Sequence, residues 1–165
     1  MPFPVTAITE ARRLGEHSGS AWHAVKHRRI RLQNDGVSLA LDSKIAIILQ
    51  AGAETHEGMA RALHSLLYAR ELHEHGATVR LVFDGAGSEW AAKLHMPQTP
   101  PEKGLAALFA GLVKEDVVFE VCDYCSGAFH VKEGLKEAGI PLSGQYMEHP
   151  SIAALVGDGY QIWII

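Results

Sequence analysis

The sequence predicts an α/β domain built on a mostly parallel sheet of about five strands covered by helices. Two observations carry this: short, continuous apolar runs rich in β-branched residues, and amphipathic helical stretches that alternate with them. At 165 residues with 47% apolar content, the chain is long enough for one such domain with a full core.

The first strand is Ile45-Ala46-Ile47-Ile48-Leu49, which closes on Gln50-Ala51-Gly52. A run without polar alternation is expected of a strand buried on both faces. Thr55 is placed to cap a helix with Met59, Leu63, Leu66, Leu67 and Leu72 on its inner face, and Gly76 to end it in a left-handed turn. The second strand, Thr78 to Phe83, closes on Asp84-Gly85-Ala86-Gly87, and Ser88 is expected to cap a short helix through Trp90 and Leu94. Prolines 97, 100 and 101 interrupt the chain before a helix from Glu102 to Lys114 that turns Leu105, Leu108, Phe109 and Leu112 inward. Val117 to Val121 is a third buried strand, followed by one helix from Ser126 to Ala138 that stops at Gly139. Ile140-Pro141-Leu142 suits a short connecting strand, His149-Pro150-Ser151 opens a small helix to Val156, and Tyr160 to Ile165 forms the last strand.

Residues 1–42 read as an extension. A weak helix over Thr9 to Lys26 leads through the basic stretch Lys26 to Arg31 into the turn-like Gln33-Asn34-Asp35-Gly36. Two readings stay open for it: an arm that packs on a neighbouring subunit, or sequence read from an upstream start. The domain proper is expected over residues 43–165.

Composition narrows the partners. A net charge of −4 gives no attraction to a phosphate backbone, so nucleic acid is not expected. No apolar run approaches the roughly 20 residues that span a bilayer, and the start lacks the basic and apolar regions of a secretory signal, so the expectation is a cytoplasmic protein without membrane contact. The two cysteines lie in one C-x-x-C, a spacing that speaks for reactivity or metal binding rather than for a secreted disulfide scaffold.

Ligands of open α/β sheets bind beyond the carboxyl ends of the strands. Three junctions therefore form the expected cleft: Gln50 to His56 after the first strand, with Gly52 and His56 lining it, Asp84 to Glu89 after the second, with Asp84, Gly85 and Glu89, and Cys122 to Gly127 after the third, with Cys122, Tyr124, Cys125 and Ser126. His149 reads either as a hydrogen-bond partner of a thiolate there or as the start of a helix beside Pro150. Cys122 and Cys125 are the expected chemical groups. The N-terminus of the following helix would stabilise a thiolate there and lower its pKa by about a unit or more. A second thiol three positions on would resolve or shield a persulfide or mixed disulfide on the first. The competing reading has both cysteines as small buried hydrophobes.

A zinc site needs four ligands, and one C-x-x-C supplies two; His56, His130 or His149 would have to complete it, so no metal and no cofactor are expected. Gly85-Ala86-Gly87 lacks the third glycine of a dinucleotide fingerprint and reads as a tight turn. Asp84 and Glu89 read either as polar groups of the cleft or as turn and cap residues.

From Lys44 onward the chain resembles the DsrE/DsrF-like family, which includes sulfur-relay proteins of the Dsr and Tus types. The resemblance rests on Lys44-Ile45-Ala46-Ile47-Ile48, Phe83-Asp84-Gly85-Ala86-Gly87, Cys122 to Phe129, and Glu148-His149-Pro150-Ser151 with Gly159-Tyr160-Gln161. It implies a three-layer α/β/α domain, assembly into homotrimers or homohexamers, and a junction cysteine, best matched by Cys122, that carries sulfur as a persulfide between donor and acceptor proteins. Two features depart from the family pattern: Phe129-His130 stands where some members have Arg-Gly, and the extension lies outside it.

Three functions follow as expectations: a sulfur carrier or sulfurtransferase, a non-enzymatic oligomeric module that binds a small ligand or partner and holds a redox-sensitive C-x-x-C, and a dithiol oxidoreductase.

Overall fold

The computed structural model describes residues 41–165, and the expected extension lies outside them apart from its last two residues. Five strands, β1 (Lys44–Leu49), β2 (Thr78–Phe83), β3 (Val118–Cys122), β4 (Leu142–Ser143) and β5 (Tyr160–Ile164), form one sheet in the order β4-β3-β2-β1-β5. Every pairing is parallel. The connecting helices are α1 (His56–Glu74), α2 (Ser88–His95), α3 (Pro100–Lys114), α4 (Asp123–Ala128), α5 (Lys132–Glu137) and α6 (Ile152–Gly157).

The strand order explains the layers. Successive right-handed crossovers from β1 to β4 run in one direction and put their helices on one face, whereas the return to β5 beyond β1 puts α6 on the other. The core follows this division. Ile45, Ile47, Leu49, Val79, Leu81, Phe83 and Val121 pack under the first five helices, and Ala46, Ile48 and Val82 meet Leu155 of α6. Among the described residues one outer layer is thick and the other is the short helix α6.

Register fixes what meets at the carboxyl edge. Leu49 pairs with Phe83, Phe83 with Val121, and Cys122 with Ser143. The next row therefore runs Gln50, Asp84, Cys122, Ser143 across four strands. By the two-residue alternation of strands, Gln50, Asp84 and Cys122 continue the face of Ile48 and Val82, the thinly covered one.

Several boundaries differ from expectation for local reasons. The helix expected over 126–138 is two helices, because α4 already starts at Asp123 with Cys122 as its cap and ends at Phe129. The amides of His130 and Val131 return to the carbonyls of Gly127 and Ser126, a Schellman closure with His130 at φ 59° in the place glycine usually takes. Ser88 does not cap α2: the turn Gly85–Gly87 runs straight into the helix, and the Ser88 hydroxyl donates to the Gly85 carbonyl at 2.9 Å. Thr99 caps α3, which opens two residues early and takes both Pro100 and Pro101 into its first turn. Ser151, not His149, caps α6. In α1 the buried stripe is Gly58, Ala62, Ser65, Leu66 and Ala69, so Leu63 and Leu67 turn to its flank, 39% and 42% exposed. The small residues let α1 lie close on the sheet.

Two glycines permit close backbone approach at the carboxyl ends of the strands. A Cβ on Gly58 would collide with the Gly52 carbonyl, and one on Gly87 with the Leu49 carbonyl, whereas Gly104 in α3 is exposed with open space beside it. Gly87→Ala and Gly58→Ala should each cost about 2 kcal/mol or more by overpacking, while Gly104→Ala should add about 0.5–1 kcal/mol through helix propensity. Urea unfolding of the three variants checks this.

The Glu102 carboxylate accepts from the Thr99 amide at 3.0 Å, from Lys93 at 3.0 Å and from the Gln98 amide at 2.7 Å. These donors, the Thr99 amide first, pull its pKa from 4.5 down to about 2. A lowered folded pKa means the stabilisation is complete above pH 4.5 and is lost as pH falls from there toward 2. Glu102→Gln should flatten the stability slope in that window, as read from thermal midpoints across pH.

Candidate functional site

The site is built on the row Gln50, Asp84, Cys122. Each follows or ends a buried strand, so its backbone is held by the sheet, while its side chain faces the thin layer. Cys122 caps α4, and the Cys125 amide donates to its sulfur at 3.4 Å. That turn brings the second thiol to the first: the Cys125 thiol donates to Asp84 Oδ1 at 3.4 Å. Asp84 Oδ2 accepts from the Gln50 amide group at 3.0 Å, which fixes the carboxylate so that Oδ1 faces the sulfurs.

His149 completes the group from the loop after β4. Its Nδ1 lies 3.1 Å from Cys122 Sγ, 3.8 Å from Cys125 Sγ and 3.9 Å from Asp84 Oδ1. The loop that aims it is strained. Tyr146 and His149 exchange both backbone hydrogen bonds around Met147 at φ 49° and Glu148 at φ 63°, a turn with two left-handed residues and no glycine. Each such residue costs about 1–2 kcal/mol. The turn is kept in place by the Tyr124 amide, which donates to the Glu148 carbonyl at 2.9 Å, and by Gln145, whose side-chain oxygen accepts from the Ser143 hydroxyl at 2.6 Å and the Ser151 amide at 3.2 Å. The Tyr124 ring packs on the imidazole with centroids 5.0 Å apart.

Asp84, Cys122, Cys125 and His149 thus each offer one ligand atom within 4.8 Å of the others. Cys122 is wholly buried and Cys125 8% exposed, while Tyr124 and His149 stand between them and an open cleft of about 740 Å³ floored by Ile48 and Val82. Tyr146, Met147 and Ile152 form its outer wall.

Electrostatics run against the expectation of a lowered thiol pKa. Burial pushes the Cys122 thiol well above its ordinary range, and although the Cys125 amide pulls it down, the neighbouring Asp84 adds to the rise. Burial likewise raises Cys125. The turn of helix behind the thiols has six residues, too short a dipole to offset desolvation. For Asp84, burial acts upward as the largest single influence, yet donors from Gln50, the two thiols and the Gly85 amide together hold its pKa below the ordinary carboxylate value.

Of the other expected site residues, Gly85 borders the group through its amide and the rest fall elsewhere. Gly85, at φ 54°, turns the chain after Asp84, and the buried Ser126 hydroxyl donates to the Asp123 carbonyl at 2.7 Å inside α4. Gly52 and Glu89 meet in the β1–α1 loop, where Glu89 accepts from the Ala53 amide at 3.2 Å. His56 is exposed at the first turn of α1, and His130 is exposed at the end of α4; neither belongs to the thiol group. Gln50 lies in the expected first junction, whereas the Tyr146–Glu148 turn was not foreseen. Gln50 was legible as the residue directly after a buried strand; the turn carries no Gly or Asn-Gly to announce it. Among the described residues no helix is long and apolar enough to cross a membrane.

The model of the DsrE/DsrF-like family matches residues 43–162. An uncharacterized protein of Methanocaldococcus jannaschii is 32% identical over 100 residues, 61% of this chain and 76% of that protein. A solved structure, a conserved protein of unknown function from Bacteroides thetaiotaomicron, superposes with a TM-score of 0.51 at 15% identity, covering 77% of this chain and 98% of that one, a likeness of fold alone. With the three-layer architecture, the Cys122 to Cys125 turn and a family match over most of its length, the chain belongs to the DsrE/DsrF-like family.

Proposed function

We propose that the chain is a sulfur carrier of the sulfur-relay type, in which Cys122 accepts sulfane sulfur as a persulfide. The observation that supports this best is the 3.1 Å approach of His149 Nδ1 to Cys122 Sγ, a thiol paired with a base. In the transfer His149 takes the Cys122 proton, and the sulfur attacks the terminal sulfur of a donor persulfide. The donor S–S bond breaks as the new one forms, and the donor leaves as a thiol with the proton from His149. One thiol and one persulfide give one persulfide and one thiol, with no net oxidation. Cys125 shields the product, or releases its outer sulfur as hydrogen sulfide by closing a disulfide with Cys122.

Incubation of the reduced protein with a low-molecular-weight persulfide should add one sulfur, about 32 Da, to the intact mass. Cys122→Ser should abolish the gain, and His149→Ala should slow it by about 10²-fold. No gain in the wild type under conditions that persulfidate free glutathione would sink this reading.

The open cleft favours a second reading, an oligomeric module that binds a partner or small ligand. Tyr146 is 66% and Met147 77% exposed beside Tyr124 and Ile152, more apolar surface in one place than scattered exposure accounts for. We propose that this rim is covered by a second copy in a homotrimer or homohexamer. Sedimentation velocity should then give a species of three or more chains, and Met147→Glu combined with Tyr146→Glu should shift it toward the monomer; a wild-type monomer at tens of micromolar would rule this out.

A further inference from the structure

We propose that Asp84, Cys122, Cys125 and His149 form a four-ligand site for a thiophilic divalent cation of the zinc type, an inference that goes beyond the sulfur reading while sharing its cysteines. The expectation of no metal rested on counting cysteine pairs. The fold adds a carboxylate from the end of β2 and an imidazole from beyond β4, so the four ligands arrive from three strand junctions.

The spacing fits an ion. Tetrahedral zinc, with bonds of about 2.3 Å to sulfur and about 2.0–2.2 Å to nitrogen and oxygen, places its ligand atoms roughly 3.4–3.8 Å apart. The four distances here are 3.1, 3.4, 3.8 and 3.9 Å, all from four atoms that lie within 4.8 Å of one another. With no pair more than 4.8 Å apart, small side-chain shifts bring the four atoms onto one cation.

The surroundings are those of a metal site as well. Ligating carboxylates and thiolates are held by outer hydrogen bonds. Gln50 donates to the far oxygen of Asp84, leaving Oδ1 for the centre, and the Cys125 amide donates to Cys122 Sγ. His149 presents Nδ1 inward, with its ring set by Tyr124 and by the strained Tyr146–His149 turn. Two sulfurs, one nitrogen and one oxygen select zinc over calcium or magnesium, which take oxygen ligands. With all four positions filled by protein the site is closed, and its thiolates are engaged. Metal and sulfane sulfur then exclude each other at Cys122.

The full chain, reduced and stripped with a chelator, is titrated with Co(II) and followed by absorbance. One equivalent per chain should bind with thiolate-to-cobalt charge-transfer bands in the near ultraviolet and strong tetrahedral bands in the visible, and one equivalent of Zn(II) should bleach both. Cys122→Ser and Cys125→Ser should each weaken the charge-transfer intensity, and Asp84→Ala and His149→Ala should loosen binding by at least about tenfold while leaving those bands in place. A wild type that shows only weak octahedral cobalt absorbance, or whose spectrum survives in a Cys122→Ser, Cys125→Ser double variant, overturns the site without reference to whether any single variant folds.

The same stripped preparation is offered the persulfide donor. Metal uptake without a sulfur gain leaves the metal site standing and removes the carrier reading. A sulfur gain without metal uptake overturns the metal site. Where both occur, zinc-loaded protein should gain sulfur at least about tenfold more slowly, as expected for thiolates held by the ion.

Discussion

The parallel register of β1, β2 and β3 is the constraint on which the site depends. It sets Gln50, Asp84 and Cys122 side by side although 34 and 38 residues separate them in sequence. A slip of one residue between any two of these strands would turn one side chain to the opposite face, into the helices of the thick layer. The register is itself protected by burial: Ile47, Phe83 and Val121 are almost inaccessible, and exposing any of them would cost about 1.5–3 kcal/mol per side chain. The same apolar rows that hold the sheet together therefore hold the polar row at its end.

What that row gathers is costly in isolation. Two thiols, a carboxylate and an imidazole are brought into mutual contact under a partly closed wall, where burial opposes ionisation of the sulfurs. The chain adds two left-handed residues, Met147 and Glu148, to aim His149. Neither cost contributes to folding, and both are met by the surrounding hydrogen bonds of Tyr124, Gln145 and Ser151. Two adjacent left-handed residues beside a buried polar cluster concentrate local strain at the end of this row, which is the kind of place where strain and function coincide.

Much of this was legible in the residues. Apolar runs announced four strands, Thr55 and Gly76 bounded α1, and the cysteines stood at the end of a strand where ligands of such sheets bind. What escaped has identifiable causes. The break at His130 was hidden because a histidine takes the left-handed position that glycine normally marks. The inward face of α1 was misjudged because large leucines outweigh alanines in any hydrophobic count, whereas close packing on a sheet prefers the small side chains. Asp84 and the thiols were expected in one cleft, but their direct contact rests on the register between distant strands, which is a tertiary fact. His149 was read as a thiolate partner or as the start of a helix, with the second favoured because Ser151 and Pro150 beside it supply the stronger local signal.

The asymmetry of the two layers explains why the site opens where it does. Among the described residues, helices from α1 to α5 lie along one face of the sheet and α6 alone packs on the other, so polar groups at the end of the even-numbered row border a cleft rather than a core. The thin layer leaves apolar surface uncovered as well, at Tyr146, Met147, Ile152 and Val156. The exposed flank of His149 and an uncovered apolar rim are thus two consequences of one topological choice, the crossover that carries β5 past β1 to the far edge of the sheet.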